Sequence, residues 1–270
     1  MQNKLFTLLK GFIIGGTMLV PGVSGGSMAM ILGIYEDLIT AVSRFFKQKT
    51  KSIIFLGIFC IGAFSGMALF AKSLLKLLNT YNMPMMYLFI GCIVGGIPMI
   101  IKSCQLERLS VSTAIYPIIG AVIVLSITLI PHGIFGTFNG FTFQSALILF
   151  IAGFFAAIAL ILPGISVSFV LLVLGIYEQL IKAFNDFNII YLGIIGAGLV
   201  FGIISTTKIL EYAMNKHKRP TYLIILGFII GSVIPVFPGA PHGIDIFICP
   251  IALIIGIALI QLLFKLDSSQ

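Results

Sequence analysis

Residues 18–35 read MLVPGVSGGSMAMILGIY and residues 160–177 read LILPGISVSFVLLVLGIY, so one interrupted apolar segment occurs once in each half of a 270-residue chain. Proline removes a helical hydrogen bond and clashes with the preceding turn, and in hydrocarbon the freed polar groups have no water to turn to. A break at that depth is buried in protein or lines a cavity. Corresponding Gly/Pro-interrupted segments in the two halves of a membrane protein mark a binding site of the kind transporters use.

The remaining sequence requires a membrane. It is 59% hydrophobic and 9% charged, with a mean hydropathy of +1.18, outside the range of soluble domains. The apolar runs are continuous and of helix-spanning length, without the alternation of a transmembrane barrel, so the fold class is an all-α polytopic membrane protein. The net charge of +8 sits in short basic clusters between these runs; this is positive-inside bias, and nucleic acid is excluded as a partner. Cys60, Cys92, Cys104 and Cys249 have no metal-ligand spacing and read as small core residues. Met1 to Leu9 carries a lysine and then an apolar run, but no small-residue cleavage site follows, so it is read as mature protein.

The repeat extends beyond the two motifs. At an offset of 142, Gly11, Pro21, Gly22, Ser24, Gly33, Tyr35, Glu36 and Phe45, among others, have identical partners; at 136, Gly57, Gly66, Lys72, Pro84, Gly91 and Gly95 do. The chain divides into repeats 1–136 and 137–270. Each holds the broken segment, about 5–46 and 143–184, followed by three apolar runs: Ile53 to Ala71, Met85 to Ile101 and Thr113 to Ile130, then Ile189 to Thr207, Tyr222 to Phe237 and Phe247 to Phe264.

Charge counting distinguishes a spanning from a re-entrant broken segment. If each segment returns to the side it left, 13 of the 16 Lys and Arg residues share one side and Lys72, Lys76 and Lys182 lie on the other; if each spans, the division is 9 to 7. The positive-inside rule selects re-entrant hairpins with both termini cytoplasmic. Limbs from Lys10 to Pro21 and Ser27 to Glu36 would each be about 15 Å long, half of a roughly 30 Å core, placing the turns at the midplane. Three crossings per half is an odd number, so the repeats have inverted topology.

Gly22, Gly25 and Gly26 permit close backbone approach to a ligand, and Ser24 and Ser27 add hydroxyls where the second limb begins, an arrangement suited to a phosphate. The second loop offers Pro163, Gly164, Ser166 and Ser168, but Val167 and Phe169 are larger than their counterparts, so this loop is expected to be the less open. The plainer alternative is that the small residues only permit close helix packing. Glu36 and Glu178 share a repeat position in GIYE; intramembrane acids are functional candidates, although the limb lengths place both near the interface. Tyr35 and Tyr177 are expected as interfacial anchors, and Lys72 and Lys208 as snorkelling residues. No His, Asp or Glu set has metal spacing and no catalytic triad can be drawn, so no cofactor is expected and KHKRP at 216–220 reads as a topology determinant.

The stretch GTMLVPGVSGGSMAMILGIYEDLI at 16–39, repeated as ALILPGISVSFVLLVLGIYEQLI at 159–181, resembles the bacterial polyprenyl-phosphate transporters, and the length and repeat layout agree over nearly the whole chain. The resemblance implies a flippase of the cytoplasmic membrane that returns undecaprenyl phosphate, the lipid carrier for cell-wall polymers, to the cytoplasmic leaflet. Ser168-Phe169 departs from the smaller residues expected there. The rival is an undecaprenyl pyrophosphate phosphatase, whose loop reads PG, any residue, then Ser-Arg-Ser. Gly25 and Val167 stand where that Arg would be, and the paired glutamates are absent, so the pyrophosphate clamp is missing. A transporter of another anionic substrate is the third reading. The sequence leaves the coupling ion and the oligomeric state open, a homo-oligomer included.

Overall fold

The computed structural model describes residues 4–18, 23–104, 111–131 and 142–268. Among them are twelve helices: α1 Lys4–Thr17, α2 Gly25–Ile31, α3 Tyr35–Ser43, α4 Lys49–Thr80, α5 Asn82–Ser103, α6 Val111–Thr128, α7 Phe143–Ile161, α8 Val167–Leu174, α9 Tyr177–Asn185, α10 Ile189–Lys216, α11 Lys218–Val236 and α12 Asp245–Ser268.

The LGIY of each motif is a helix stop followed by a restart. Gly33 and Gly175 take left-handed φ values of +66° and +79°, a conformation glycine adopts without steric cost. The amides of Ile34 and Ile176 reach back to the carbonyls of Ala29 and Leu171 at 3.0 and 3.1 Å, and those of Gly33 and Gly175 to Met30 and Leu172 at 3.1 and 2.9 Å. This is the Schellman pattern. A new helix begins at once at Tyr35 and at Tyr177, and α2 and α3 are bent by 116°.

These stops revise the expected limb lengths. The segment from Ser27 to Glu36 is not one limb: α2 has 7 residues, about 10 Å, before the chain turns. The first limbs are longer than half a bilayer, because α1 begins well before Lys10 and nothing interrupts α7 before Pro163. Helix α1 has 14 residues and α7 has 19, about 21 and 28 Å. A capping box starts α7, with Thr142 Oγ1 accepting from the Ser145 amide at 3.2 Å and Ser145 Oγ from the Thr142 amide at 2.8 Å. Among the described residues, the six helices long and apolar enough to cross a membrane are α4, α5, α7, α10, α11 and α12, whereas the run at Thr113–Thr128 is shorter.

Glycine sets the packing. A Cβ on Gly11 would lie 2.5 Å from the Phe59 carbonyl oxygen and one on Gly15 2.0 Å from that of Ala63; Gly62 and Gly66 stand likewise against Leu8 and Phe12, at 2.3 and 2.0 Å. No side chain fits there, so the backbones of α1 and α4 touch. The contact numbers rise together, so these helices run parallel. The same pattern joins α7 to α10 (Gly153 on Ile195, Gly198 on Phe150, Gly202 on Phe154), α5 to α12 (Gly91 on Leu253, Gly95 on Ile257, Gly256 on Leu88) and α6 to α11 (Gly227 on Pro117, Gly231 on Ala121, Gly120 on Ile224).

Parallel packing of α1 and α4 requires the intervening chain to come back. It does: Lys4 and Thr7 of α1 line one cavity with Asp37 and Thr40 of α3 and Lys51 of α4. Arg44, just beyond α3, pairs with Glu211 near the end of α10, and Arg219 Nη2 donates to Thr113 Oγ1 at 2.9 Å, which aligns the starts of α11 and α6. The ends of α5 and α10 and the starts of α1, α4, α6 and α11 thus gather at one end of the molecule. That end carries Lys4, Arg44, Lys47, Lys49, Lys51, Lys102, Lys216, Lys218 and Arg219 and is called the basic end below. Helices α7 and α10 run toward it, α1 and α4 away from it.

The exposed surface of the long helices is apolar, as at Phe64, Leu69, Phe201 and Ile254, and polarity is turned inward instead. Helix α2 is the centre: every residue from Gly26 to Ile31 is buried, against Gly96 of α5 among others.

Candidate functional site

Pro21 and Gly22 lie outside the described residues. The rest of the two loops meet. Ser27 Oγ accepts a hydrogen bond from the Gly164 amide at 2.7 Å, a contact between residues 137 positions apart. Gly26 faces the same loop, and a Cβ there would stand 3.1 Å from the Ile161 carbonyl oxygen and 3.2 Å from the Pro163 nitrogen. Gly164 has φ +84°, and a side chain on it would run into the Phe228 carbonyl oxygen at 2.3 Å. Tyr35 closes the junction by donating its hydroxyl to the Ile161 carbonyl at 2.9 Å.

Tyr35 is therefore no interfacial anchor; it is 3% exposed and holds the end of α7. The proline explains why an acceptor is free there. Pro163 stops α7 near its end and has no N–H to offer, so the final carbonyls need partners from elsewhere.

Two cavities flank the second loop. One of about 260 Å³ lies between the loops, lined by Ser24 and Gly25 on one side and Ser166, Val167, Ser168 and Tyr177 on the other. The other, about 430 Å³, is lined by Gly164, Ser166, Ser168 and Phe169 together with Met86, Thr128 and Ser232. Met86 begins α5, while Thr128 and Val236 end α6 and α11, so this larger cavity lies toward the end opposite the basic cluster. Ser166 and Ser168 line both, their hydroxyls 3.0 Å apart.

The larger residues of the second loop do not close it, contrary to expectation. In the first loop the small residues admit the second: Gly26 takes the Pro163 backbone and Ser27 spends its hydroxyl on Gly164, while Ser24 and Gly25 line the smaller cavity. The second loop leaves Ser166 and Ser168 facing space. Ser24 and Ser166 occupy the N-cap positions of α2 and α8, yet neither makes a side-chain cap bond; the Ser166 hydroxyl pairs with that of Ser168 instead.

The glutamates part company. Glu36, exposed on α3, accepts a hydrogen bond from the hydroxyl of Tyr222 on α11, and Tyr222 itself is buried. Seven residues further on, Ser43 Oγ donates to Glu211 Oε2 and Arg44 Nε to Glu211 Oε1, both at 2.5 Å. Helix α3 is thereby latched across the basic end to α10 and α11. Glu178 is exposed on α9. At the offset of 136, the residue corresponding to Tyr222 is Met86, which cannot donate a hydrogen bond.

Sequence reasoning misses Tyr222, Glu211, Thr128 and Ser232. Glu211 carries a signal, being one of eight acids in the chain and the only acid of a long, largely apolar helix. The others look unremarkable until the fold brings them together. Among the described residues no three His, Cys, Asp or Glu side chains gather in a metal-binding group. Cys104, just past α5, is fully buried; burial pushes its thiol up to about 11, with Arg219 pulling the other way, so it is protonated at neutral pH and inert.

Comparison with known proteins gives a consistent result. A family model described as undecaprenyl phosphate translocase-like matches residues 14–243. A protein of Staphylococcus aureus named polyprenyl-phosphate transporter is 37% identical over 267 residues, covering 94% of each chain. One of Vibrio cholerae with the same name is 31% identical over 252 residues, covering 88% of this chain and 79% of its own. No solved structure matches significantly.

Proposed function

The chain belongs to the undecaprenyl phosphate translocase-like family, and on that premise we propose that it is a multi-pass transporter of the bacterial cytoplasmic membrane, not an enzyme, moving undecaprenyl phosphate from the outer to the cytoplasmic leaflet for reuse in cell-wall synthesis. The observation that carries this reading is the junction of the two loops: backbone and hydroxyl groups from both halves converge inside an apolar molecule, beside cavities lined by Ser24, Ser166 and Ser168.

The energetics favour such a site. At about 0.8 kcal/mol per buried CH₂, a long prenyl tail stays in the bilayer, and only the head group needs help. A lone phosphate crossing hydrocarbon faces tens of kcal/mol on a Born estimate. Hydroxyls and free amides lower that barrier without the tight grip of an intramembrane arginine, so release on the far side is retained. With no guanidinium at Gly25 or Val167, the loops are suited to holding one phosphate and not to cleaving a pyrophosphate.

The two halves, 1–136 and 137–270, act in this proposal as inverted repeats. The opposed directions of α1 and α4 relative to α7 and α10, and the repeated glycine crossings, support it. Positive-inside bias makes the basic end, with both termini, cytoplasmic. The arrangement is then the outward-facing one: the 430 Å³ cavity lies toward the outer end, while α3 seals the inner one. Because α12 is packed on α5 and α11 on α6 through backbone contacts, the halves interlock and cannot rock apart as blocks. The moving parts are α2–α3 and α8–α9.

The test is reconstitution. Vesicles holding the purified protein should translocate a short-chain fluorescent polyprenyl phosphate at least about tenfold faster than protein-free vesicles, without releasing phosphate. Equal rates with and without protein, or phosphate release, would show the proposal to be wrong.

A further inference from the structure

Away from the loops, at the basic end, a cavity of about 300 Å³ is bounded by α1, α3 and the first turn of α4. Helix α4 is 32 residues long, has no acid in its first turn and no side-chain cap at Gln48, so its leading amides present partial positive charge uncompensated by the chain. Thr50, Lys51 and Ser52 of that turn line the cavity, with Lys4 facing them from α1. Asp37 also lines it, which leaves the two lysines in excess by one charge.

Ser52 is the independent sign that a ligand belongs here. It is 4% exposed and lines the cavity, and its amide bonds to Gln48 O at 2.9 Å, but its hydroxyl has no partner among the described residues. The hydroxyl therefore stands at the cavity wall with its bonding capacity open to whatever enters. One turn further along α4 the lining becomes apolar, at Ile54, Phe55 and Ile58, and Ile54 continues onto the exposed, hydrocarbon-facing surface of the helix.

We infer that this cavity is a second anion site, which takes the phosphate head group of a membrane lipid at the basic end, on the amides of the α4 N-terminus, the Ser52 and Thr50 hydroxyls and the Lys4 and Lys51 ammonium groups. Free inorganic phosphate shares the chemistry, but the apolar wall opening onto the lipid-facing surface favours a head group with a tail attached. The choice of a polyprenyl phosphate as occupant rests on the transport reading; the anion site does not.

Native mass spectrometry of the purified full-length chain, titrated with geranylgeranyl phosphate, should show two bound lipids. The double variant Lys4→Gln/Lys51→Gln, both residues being exposed, and the milder Ser52→Ala should each weaken one of them about tenfold and spare the other. Gly26→Leu, at the loop junction, should do the reverse. Displacement of the second lipid by excess inorganic phosphate, in wild type but not at the loop site, would uphold the anion site and make its source soluble. A single bound lipid that is lost with Gly26→Leu and indifferent to the Lys4, Lys51 and Ser52 variants would overturn this site while leaving the loop site standing. Two lipids with unchanged affinities in those variants would overturn it equally, and absence of any binding would count against both sites.

Discussion

The two hairpins share a sequence pattern and differ in what they do with it. In the first, most of the small and polar residues are used up by contact, with Gly26 against Pro163, Ser27 on Gly164, Tyr35 on Ile161, and then Glu36, Ser43 and Arg44 holding α3 to α10 and α11, while Ser24 and Gly25 line the cavity between the loops. In the second, Ser166 and Ser168 face cavities and Glu178 is exposed. Motif composition alone therefore does not say which loop is open. A loop of glycine and serine is an invitation to whatever lies nearest, and here what lies nearest to the first loop is the second.

If the first hairpin is the closed gate, immobilising it should have the largest consequence. Ser43→Cys with Glu211→Cys in a background lacking the four native cysteines, bridged by a short bismaleimide, should cut reconstituted transport more than about tenfold, with the unbridged pair retaining activity. Unchanged transport in the bridged protein would mean that α3 does not move.

A smaller effect separates a hydroxyl that holds structure from one that faces a ligand. Ser27→Ala leaves the buried Gly164 amide without its acceptor and should lower stability by about 1–3 kcal/mol, read as a drop in the thermal unfolding midpoint in detergent. Ser168→Ala should cost no more than about 0.5 kcal/mol while weakening lipid binding. The reverse order of stabilities would invert the assignment of closed and open loops.

The smallest contrast concerns the glutamates. Glu36→Gln weakens a charge-assisted bond to Tyr222 and should cost about 1 kcal/mol, whereas Glu178→Gln should stay within about 0.5 kcal/mol. Equal losses in the two would show that α9 is held as α3 is.

Much of the fold is legible in the amino-acid sequence. The repeated LGIY announces a glycine stop, and Gly11, Gly66, Gly91 and Gly95, matched at offsets of 142 and 136 by Gly153, Gly202, Gly227 and Gly231, are the residues on which helix backbones meet. What the sequence does not disclose is where the polar groups end up. Helix α7 exceeds its expected length because only proline, and no weaker breaker, ends it. Tyr35 has the sequence setting of an interfacial tyrosine because its neighbour is a glutamate, yet its acceptor lies 126 residues away. Nor can composition show that Ser27 is consumed by the partner loop, since a serine hydroxyl serves a backbone amide and a phosphate equally well.

The crossing of α5 with α12 also bears on how the protein is made. Helix α5 enters the bilayer early with Gly91 and Gly95 on a bare face, and α12, which covers it, is synthesised only after α6 to α11. Until then a groove of exposed backbone waits in the lipid. Any synthesis stalled before residue 245 leaves that groove open to other helices carrying small residues, which makes the truncated chain, more than the intact one, the natural substrate of membrane quality control.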